Sequence, residues 1–334
     1  MINIASFLLT RRCNLKCDYC RISGDIDYIL APSEYKDSIY YIDNLKPPSF
    51  WIDNIDRLMK HNSQIFFILF GGEPFLYDGI IEIIKYLNDK NANYTIISNC
   101  TQNDKMNLLF AEVESIKGFT ASIDPGFWKD HIDDEYFKSK CGFKYLKYLI
   151  ETHKVEDPVA EITVDKYNID DLEETVKRLS EAGITSDITV MDIAKSNYYD
   201  FSTIMETEHL VPKDEKTRKI FDNLINSPYK IHMKDSLLNR IYDILPAELN
   251  CRIEDNLHSI TIDSDGTMRL CLRIRGRDVP KLKLSELLKK DGTYTNIMDT
   301  AMRVFGQDKE LLCRGCNHTC YIMSQLDQLI IIKH

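Results

Sequence analysis

Apolar residues in the first 195 positions fall into short runs rich in β-branched and aromatic side chains, and the stretches between them carry apolar residues at helical spacing. The runs are NIASFLL (3–9), QIFFILF (64–70), NYTIIS (93–98), FTASI (119–123), VAEITV (159–164) and ITSDITVMDI (184–193), each of strand length. Between them, Ile80, Ile81, Ile84 and Leu87 mark one helical stripe. Leu172, Val176 and Leu179 mark another, which stops at Gly183. Strand and helix alternating about six times predicts a parallel sheet with crossover helices, the α/β class. Periodicity alone leaves open whether the sheet curls into a barrel.

The alternation ends near residue 195. Residues 196–245 open with SNYYDFSTIMETEHL and continue through a charged, helix-like run around KDEKTRKIFDNLI, so they read as a connector and substrate lid over the open end of the sheet. From 246 the pattern becomes short strand-like pieces, HSITIDSDGTMRLCLRI, with a hairpin signal at Asp265-Gly266. The expected organisation is therefore 1–195, 196–245 and 246–334, without internal repeats or low-complexity tracts.

Composition narrows the function classes. The 334 residues are 44% hydrophobic, ordinary for a globular chain, and the length suits about two domains. A formal net charge of −10, from 42 basic and 52 acidic residues, argues against nucleic acid or an anionic membrane as the main partner. The apolar start is short and is followed, not preceded, by Arg11 and Arg12, unlike a signal peptide. The longest apolar run, IFFILF at 65–70, is far too short to span a bilayer. The expected location is the cytoplasm.

Ten cysteines then change the picture. Three crowd into CNLKCDYC as Cys13, Cys17 and Cys20, and three more into CRGCNHTC as Cys313, Cys316 and Cys320. Cys251 and Cys271 precede the second crowd. Clustered cysteines in a reducing compartment point to metal ligation before disulfides. Three thiolates from one loop fit three corners of a [4Fe–4S] cube and leave one iron open, where a ligand can bind. A structural zinc site completed by a distant Cys or His is the competing reading. Cys100 and Cys141 stand alone and read as small buried hydrophobes. The eight histidines show no metal-ligand spacing, and no pair of residues stands out as general acid and base.

CxxxCxxC after a first strand, together with Gly71-Gly72-Glu73-Pro74 directly after IFFILF, resembles the radical S-adenosylmethionine (SAM) superfamily. The resemblance covers about residues 3–193 and implies a partial (β/α)6 TIM-like barrel, followed by a small α+β auxiliary-cluster domain. It implies that Cys13, Cys17 and Cys20 hold a [4Fe–4S] cluster whose open iron chelates SAM. The GGEP turn would lie beside the SAM amino group, its glycines permitting close approach and the Glu73 carboxylate complementing a cation. A plain strand-end turn is the bland reading of Gly71-Gly72. Tyr19 would pack near the adenine. Ser98 and Asn99 would sit near the SAM carboxylate or ribose, and Ser122 and Asp124 near the ribose hydroxyls, all at the carboxyl ends of parallel strands. Strand-end turn residues have the same composition, and Asn168 reads as a helix N-terminal signal. A buried loop with few hydrogen-bond donors to its sulfurs would place the cluster low in the range of roughly −700 to +450 mV seen for iron–sulfur centres.

The spacing from Cys251 through Gly266 to Cys271, then Cys313, Cys316 and Cys320, resembles the twitch and SPASM auxiliary-cluster domains of the same superfamily. Five cysteines limit this region to one further [4Fe–4S] cluster held by four of them, and the spare one is not identifiable. A zinc ribbon with His318 nearby is the alternative. The implied activity is reductive cleavage of SAM to a 5′-deoxyadenosyl radical, hydrogen abstraction from a substrate, and use of the auxiliary cluster in its oxidation or modification. Flavodoxin or ferredoxin would supply the electron. The first strand starts near residue 3 with no peptide-recognition segment before it, which favours a small-molecule natural-product or cofactor precursor over a peptide substrate. A peptide-modifying maturase and a non-catalytic iron–sulfur or zinc scaffold are the other readings.

Overall fold

A computed structural model describes residues 2–15, 17, 45–129, 134–190, 211–212, 214–232, 234, 259–269 and 282–295, with backbone alone at 134–137 and 269. Its elements in chain order are β1 (Ile4–Leu8), α1 (Pro48–His61), β2 (Phe66–Phe70), α2 (Ile80–Asp89), β3 (Asn93–Ser98), α3 (Asn103–Glu112), β4 (Ile116–Ser122), α4 (Asp134–Glu151), β5 (Val155–Val164), α5 (Leu172–Glu181), β6 (Thr185–Val190), α6 (Glu215–Asn226), β7 (Ser259–Ile262), β8 (Met268–Arg269) and α7 (Leu284–Leu287). The strands hydrogen-bond in the order β6-β5-β4-β3-β2-β1-β7-β8. All six strands expected from the apolar runs form, with β4 and β5 starting earlier than their runs. No described helix is long and apolar enough to cross a membrane.

The chain divides into two compact units: Met1–Thr120, Glu151–Asp157 and Ile253–Val304 in one, and Ala121–Ile150, Pro158–Arg252 and Phe305–His334 in the other. In the first, β1 lies between β2 and β7 and is parallel to both, with Ser6 opposite Ile68 on one side and Thr261 on the other. A strand paired on both edges needs apolar side chains to fill the layers around it, and Ala5, Phe7 and Leu9 are fully buried. Phe7 packs 5.1 Å from Trp51 of α1 and 5.6 Å from Phe67 of β2, ring centroid to centroid. α1 opens on Pro48, whose fixed φ suits a first helical turn. α2 buries Ile80, Ile83, Ile84 and Leu87. That is the full i, i+3, i+4, i+7 stripe, so Ile83 takes the core position expected of Ile81.

β7 and β8 form the antiparallel hairpin expected at Asp265-Gly266, and Gly266 takes φ +82° in the turn. Asp263, at the end of β7 and 2% exposed, receives both Nε and Nη2 of Arg11. This two-pronged ion pair anchors the residue two positions before Cys13. Further along, Arg57 Nη1 of α1 donates to the Leu288 carbonyl at 2.6 Å, and His61 Nδ1 lies 2.9 Å from the Gly292 carbonyl.

In the second unit, α5 buries Leu172, Val176 and Leu179 and ends at Gly183 with φ +83°, as the stripe predicted. The charged run at 215–226 is α6, capped by Asp214 accepting from Thr217 N at 2.8 Å. Asn168 does not cap the helix that follows it; its side chain turns back to bond Asp165 N at 2.9 Å and the Thr163 carbonyl at 3.1 Å. Glu161 of β5 stands directly opposite Asp187 of β6 in the parallel register, so two carboxylates share one face of the sheet. Burial pushes Glu161 up to about 7, with Asp187 adding to the effect and Lys138 opposing it.

The pH consequence follows from the sign of that shift. A carboxyl held above its unfolded value binds more protons folded than unfolded, so stability falls as pH rises from about 4.5 to about 7. Glu161→Gln removes the charge that burial disfavours. It is expected to leave stability unchanged at pH 4 and to raise it at pH 8 by at most roughly 3 kcal/mol, read by urea unfolding at both pH values. Equal effects at the two pH values would contradict this reading.

Candidate active site

The site begins where β1 and β2 end. Their ladder continues past the strands: Leu9 N donates to the Phe70 carbonyl at 2.9 Å, Gly72 N to Thr10 at 2.8 Å and Glu73 N to Arg12 at 2.8 Å. These bonds lay the start of CNLKCDYC against the GGEP turn. The two backbones pass so closely that side chains do not fit between them. A Cβ on Gly71 would stand 2.4 Å from the Thr10 carbonyl oxygen, and one on Gly72 would stand 2.3 Å from that of Arg12. Both glycines are thus required by the chain's own cysteine loop.

Glu73 is fully buried and points inward. Its Oε1 accepts from Phe75 N at 3.0 Å and from Ser98 Oγ at 2.9 Å, and its Oε2 accepts from Asn99 N at 2.8 Å. One side chain thereby fastens the turn after β2 to the end of β3. Pro74 opens the short 3-10 turn Pro74–Leu76 behind it. Burial pushes the carboxyl up to about 7 against the pull of its donors. The resemblance implied a carboxylate facing a cation; the structure gives the Glu73 carboxylate three partners inside the protein.

Asn99 continues the connection to the cysteine loop. Its Oδ1 accepts from Thr101 N at 3.0 Å and Thr101 Oγ1 at 2.7 Å. A backbone N–H can only donate, so the opposite end of the amide is the NH2 group. That group reaches Asn14 Oδ1 at 3.1 Å and Cys13 Sγ at 3.7 Å, while Asn14 Nδ2 returns to Thr101 Oγ1 at 2.7 Å. Leu15 N also donates to Cys13 Sγ, at 3.4 Å. A sulfur with two N–H donors suits a thiolate, and Cys13 and Cys17 are both half-buried on this loop. The donor chemistry fits an iron–sulfur ligand.

Ser98 and Asn99 are buried at the end of β3, engaged with Glu73. In the second unit, Ser122 ends β4 and is half-buried, and Asp124 pairs with Lys138 Nζ at 2.6 Å. The Asp124 backbone N–H donates to Ser139 Oγ at 2.8 Å. Cys100 is fully buried with φ +60°, and Cys141 is half-buried with its thiol pushed up by burial. Tyr19, Cys20, Cys251, Cys271, Cys313, Cys316 and Cys320 lie outside the described residues, as does His318. Among the described residues no group of three or more metal-ligating side chains occurs. Sequence reasoning missed Asn14, Thr101 and the Arg11–Asp263 pair. Their signal was weak, since polar residues beside a cysteine loop look like solvated turn residues.

A family model for the Radical SAM superfamily matches residues 7–206. The chain belongs to the radical SAM superfamily. Members of this superfamily use a [4Fe–4S] cluster and SAM. The chain is 28% identical over 308 residues to an uncharacterized protein of Methanocaldococcus jannaschii, MJ0907, covering 86% of this chain and 92% of that one. Among solved structures it is similar to Streptococcus suis SuiB bound to SAM, with a TM-score of 0.61 at 17% identity over 91% of this chain and 68% of that one. SuiB bound to its precursor peptide SuiA gives a TM-score of 0.60 at the same identity, covering 91% of this chain and 67% of that one. At 17% identity the likeness is one of fold, and the fold is the partial TIM-like barrel of the superfamily.

Removing the Glu73 staple tests the geometry at the ends of β2 and β3. Glu73→Ala leaves two backbone N–H groups and one hydroxyl without their acceptor, at a cost of roughly 3–5 kcal/mol in stability. Glu73→Gln keeps one acceptor oxygen but turns an NH2 group toward the Asn99 N–H, so it is expected to cost less, about 1–3 kcal/mol. Denaturant unfolding at pH 8 reads both. Equal stability of Glu73→Ala and the wild type would contradict the staple.

Proposed function

We propose that this chain is a radical SAM enzyme that modifies an unactivated C–H bond of a small-molecule natural-product or cofactor precursor. The observation that carries the reading is the Thr10–Arg12 segment, which leads directly into Cys13, bonded to Gly72 and Glu73 at the carboxyl ends of β1 and β2. Parallel α/β sheets place their reaction centres at that end of the strands. In this reading Cys13, Cys17 and Cys20 hold the [4Fe–4S] cluster, and the GGEP backbone faces the SAM amino group. Tyr19, Ser98, Asn99, Ser122 and Asp124 contribute to the SAM pocket.

Cleavage of SAM to methionine and a 5′-deoxyadenosyl radical, driven by one electron entering through the cluster, is the chemistry that the bound groups supply. A reduced flavodoxin or ferredoxin delivers that electron. The chemistry supplied would be abstraction of a substrate hydrogen atom, with 5′-deoxyadenosine as the co-product. Four of Cys251, Cys271, Cys313, Cys316 and Cys320 would hold a second [4Fe–4S] cluster, which would supply a one-electron acceptor when the net reaction is an oxidation. The protein's own residues orient the reactants and exclude water.

A peptide substrate is the second reading, favoured by the fold likeness to SuiB, whose structure is known with a precursor peptide bound. The two readings share the same radical chemistry and differ in what fills the substrate space.

Anaerobically reconstituted protein is expected to bind about eight irons, the content of two cubes. With SAM and a reductant it is expected to release 5′-deoxyadenosine and methionine in equal amounts, measured by chromatography. About four irons together with zinc would contradict the auxiliary cluster. Two intact clusters that leave SAM uncleaved, with candidate substrates present, would contradict the enzymatic reading.

A further inference from the structure

Cys13 Sγ accepts hydrogen bonds from Leu15 N at 3.4 Å and from Asn99 Nδ2 at 3.7 Å. The first comes from the cysteine loop itself and would accompany any tight turn there. The second reaches across from the end of β3, 86 residues away in sequence, and its direction is set independently of the sulfur. Thr101 N and Oγ1 both hold Asn99 Oδ1, which fixes the amide plane and aims the NH2 group at Cys13 and Asn14. The Asn99 backbone is fixed in turn by its N–H on Glu73 Oε2. Asn99 is 7% exposed, so water does not compete freely for its donor. This is a preset donor aimed at a ligand sulfur.

We propose that Asn99 is a positioning residue that raises the reduction potential of the SAM-binding cluster by donating its side-chain N–H to Cys13 Sγ. The inference rests on the reading that Cys13, Cys17 and Cys20 ligate that cluster. Adding an electron places more negative charge on the ligand sulfurs. A hydrogen-bond donor therefore stabilises the reduced form more than the oxidised form, and the potential moves up. The role is additional to the place near SAM that the resemblance assigned to this position. Through Glu73 and Asn99, the turn that follows β2 also acts on the electronics of the cysteine loop.

The test is a potentiometric titration of the reconstituted full chain, followed by electron paramagnetic resonance of the reduced-cluster signal that changes when SAM is added. Iron content is measured alongside. Asn99→Ala removes the donor. Asn99→Asp keeps the size of the side chain and the acceptor for Thr101, and replaces the NH2 group with a charged oxygen. The expected result is an order of potentials: wild type above Asn99→Ala, and Asn99→Ala above Asn99→Asp. At a fixed poise the ratio of reduced to oxidised cluster should fall about tenfold in Asn99→Ala, which is 59 mV for a one-electron couple.

Loaded variants with the wild-type potential, or a higher one, would overturn the proposal and leave the cluster assignment standing. Loss of the cluster from both variants would also overturn it, because a tuning bond is not needed to hold iron. A wild-type protein with no SAM-responsive signal would overturn both the proposal and the assignment beneath it.

Discussion

The Glu73 carboxylate lies where β2 ends, and it accepts from Phe75 N, Ser98 Oγ and Asn99 N at once. A buried carboxylate with fewer donors would carry a larger desolvation penalty. With these three, one side chain sets the direction of the turn after β2 and the height of the end of β3 relative to it. The cysteine loop is then laid on that platform by the Gly72 N–H on Thr10 and the Glu73 N–H on Arg12. Arg11 on Asp263 secures the loop from its other side. The geometry of Cys13 is thus fixed from the ends of three other strands, β2, β3 and β7.

This arrangement explains why the turn needs its residue types. Glycine stands at 71 and 72 because two backbones meet there, glutamate at 73 because three donors converge, and proline at 74 because a short helical turn starts. Each requirement belongs to packing, and together they bring backbone and the Cys13 sulfur close to one another. Asn99 belongs to both roles. Its backbone completes the staple and its side chain reaches the sulfur.

Much of the fold was legible because local pattern and topology agree. Six apolar runs became β1 to β6, the Leu172–Val176–Leu179 stripe became α5, and Gly183 and Gly266 took the left-handed turns their positions called for. Ile81 and Ile83 were exchanged because four isoleucines among five residues satisfy more than one helical stripe, and only the packed surface selects among them. The parallel pairing of β7 with β1 has no local signature, since the two strands are some 250 residues apart in sequence. At the site, CNLKCDYC and GGEP were legible as motifs, but the inward direction of Glu73 and the donor from Asn99 were not. Both depend on how strand ends far apart in sequence align, which spacing within a motif does not encode. Asn168 stands at the helix start expected of it, but its side chain bonds backward rather than capping forward.

The central claim is that the loop carrying Cys13, Cys17 and Cys20 holds a cluster that binds SAM directly. Electron–nuclear double resonance on the reduced protein, with SAM labelled with nitrogen-15 at its amino group, measures that contact. A nitrogen-15 hyperfine coupling to the reduced cluster is the predicted result. A reduced cluster that shows no such coupling with SAM in excess would contradict the account.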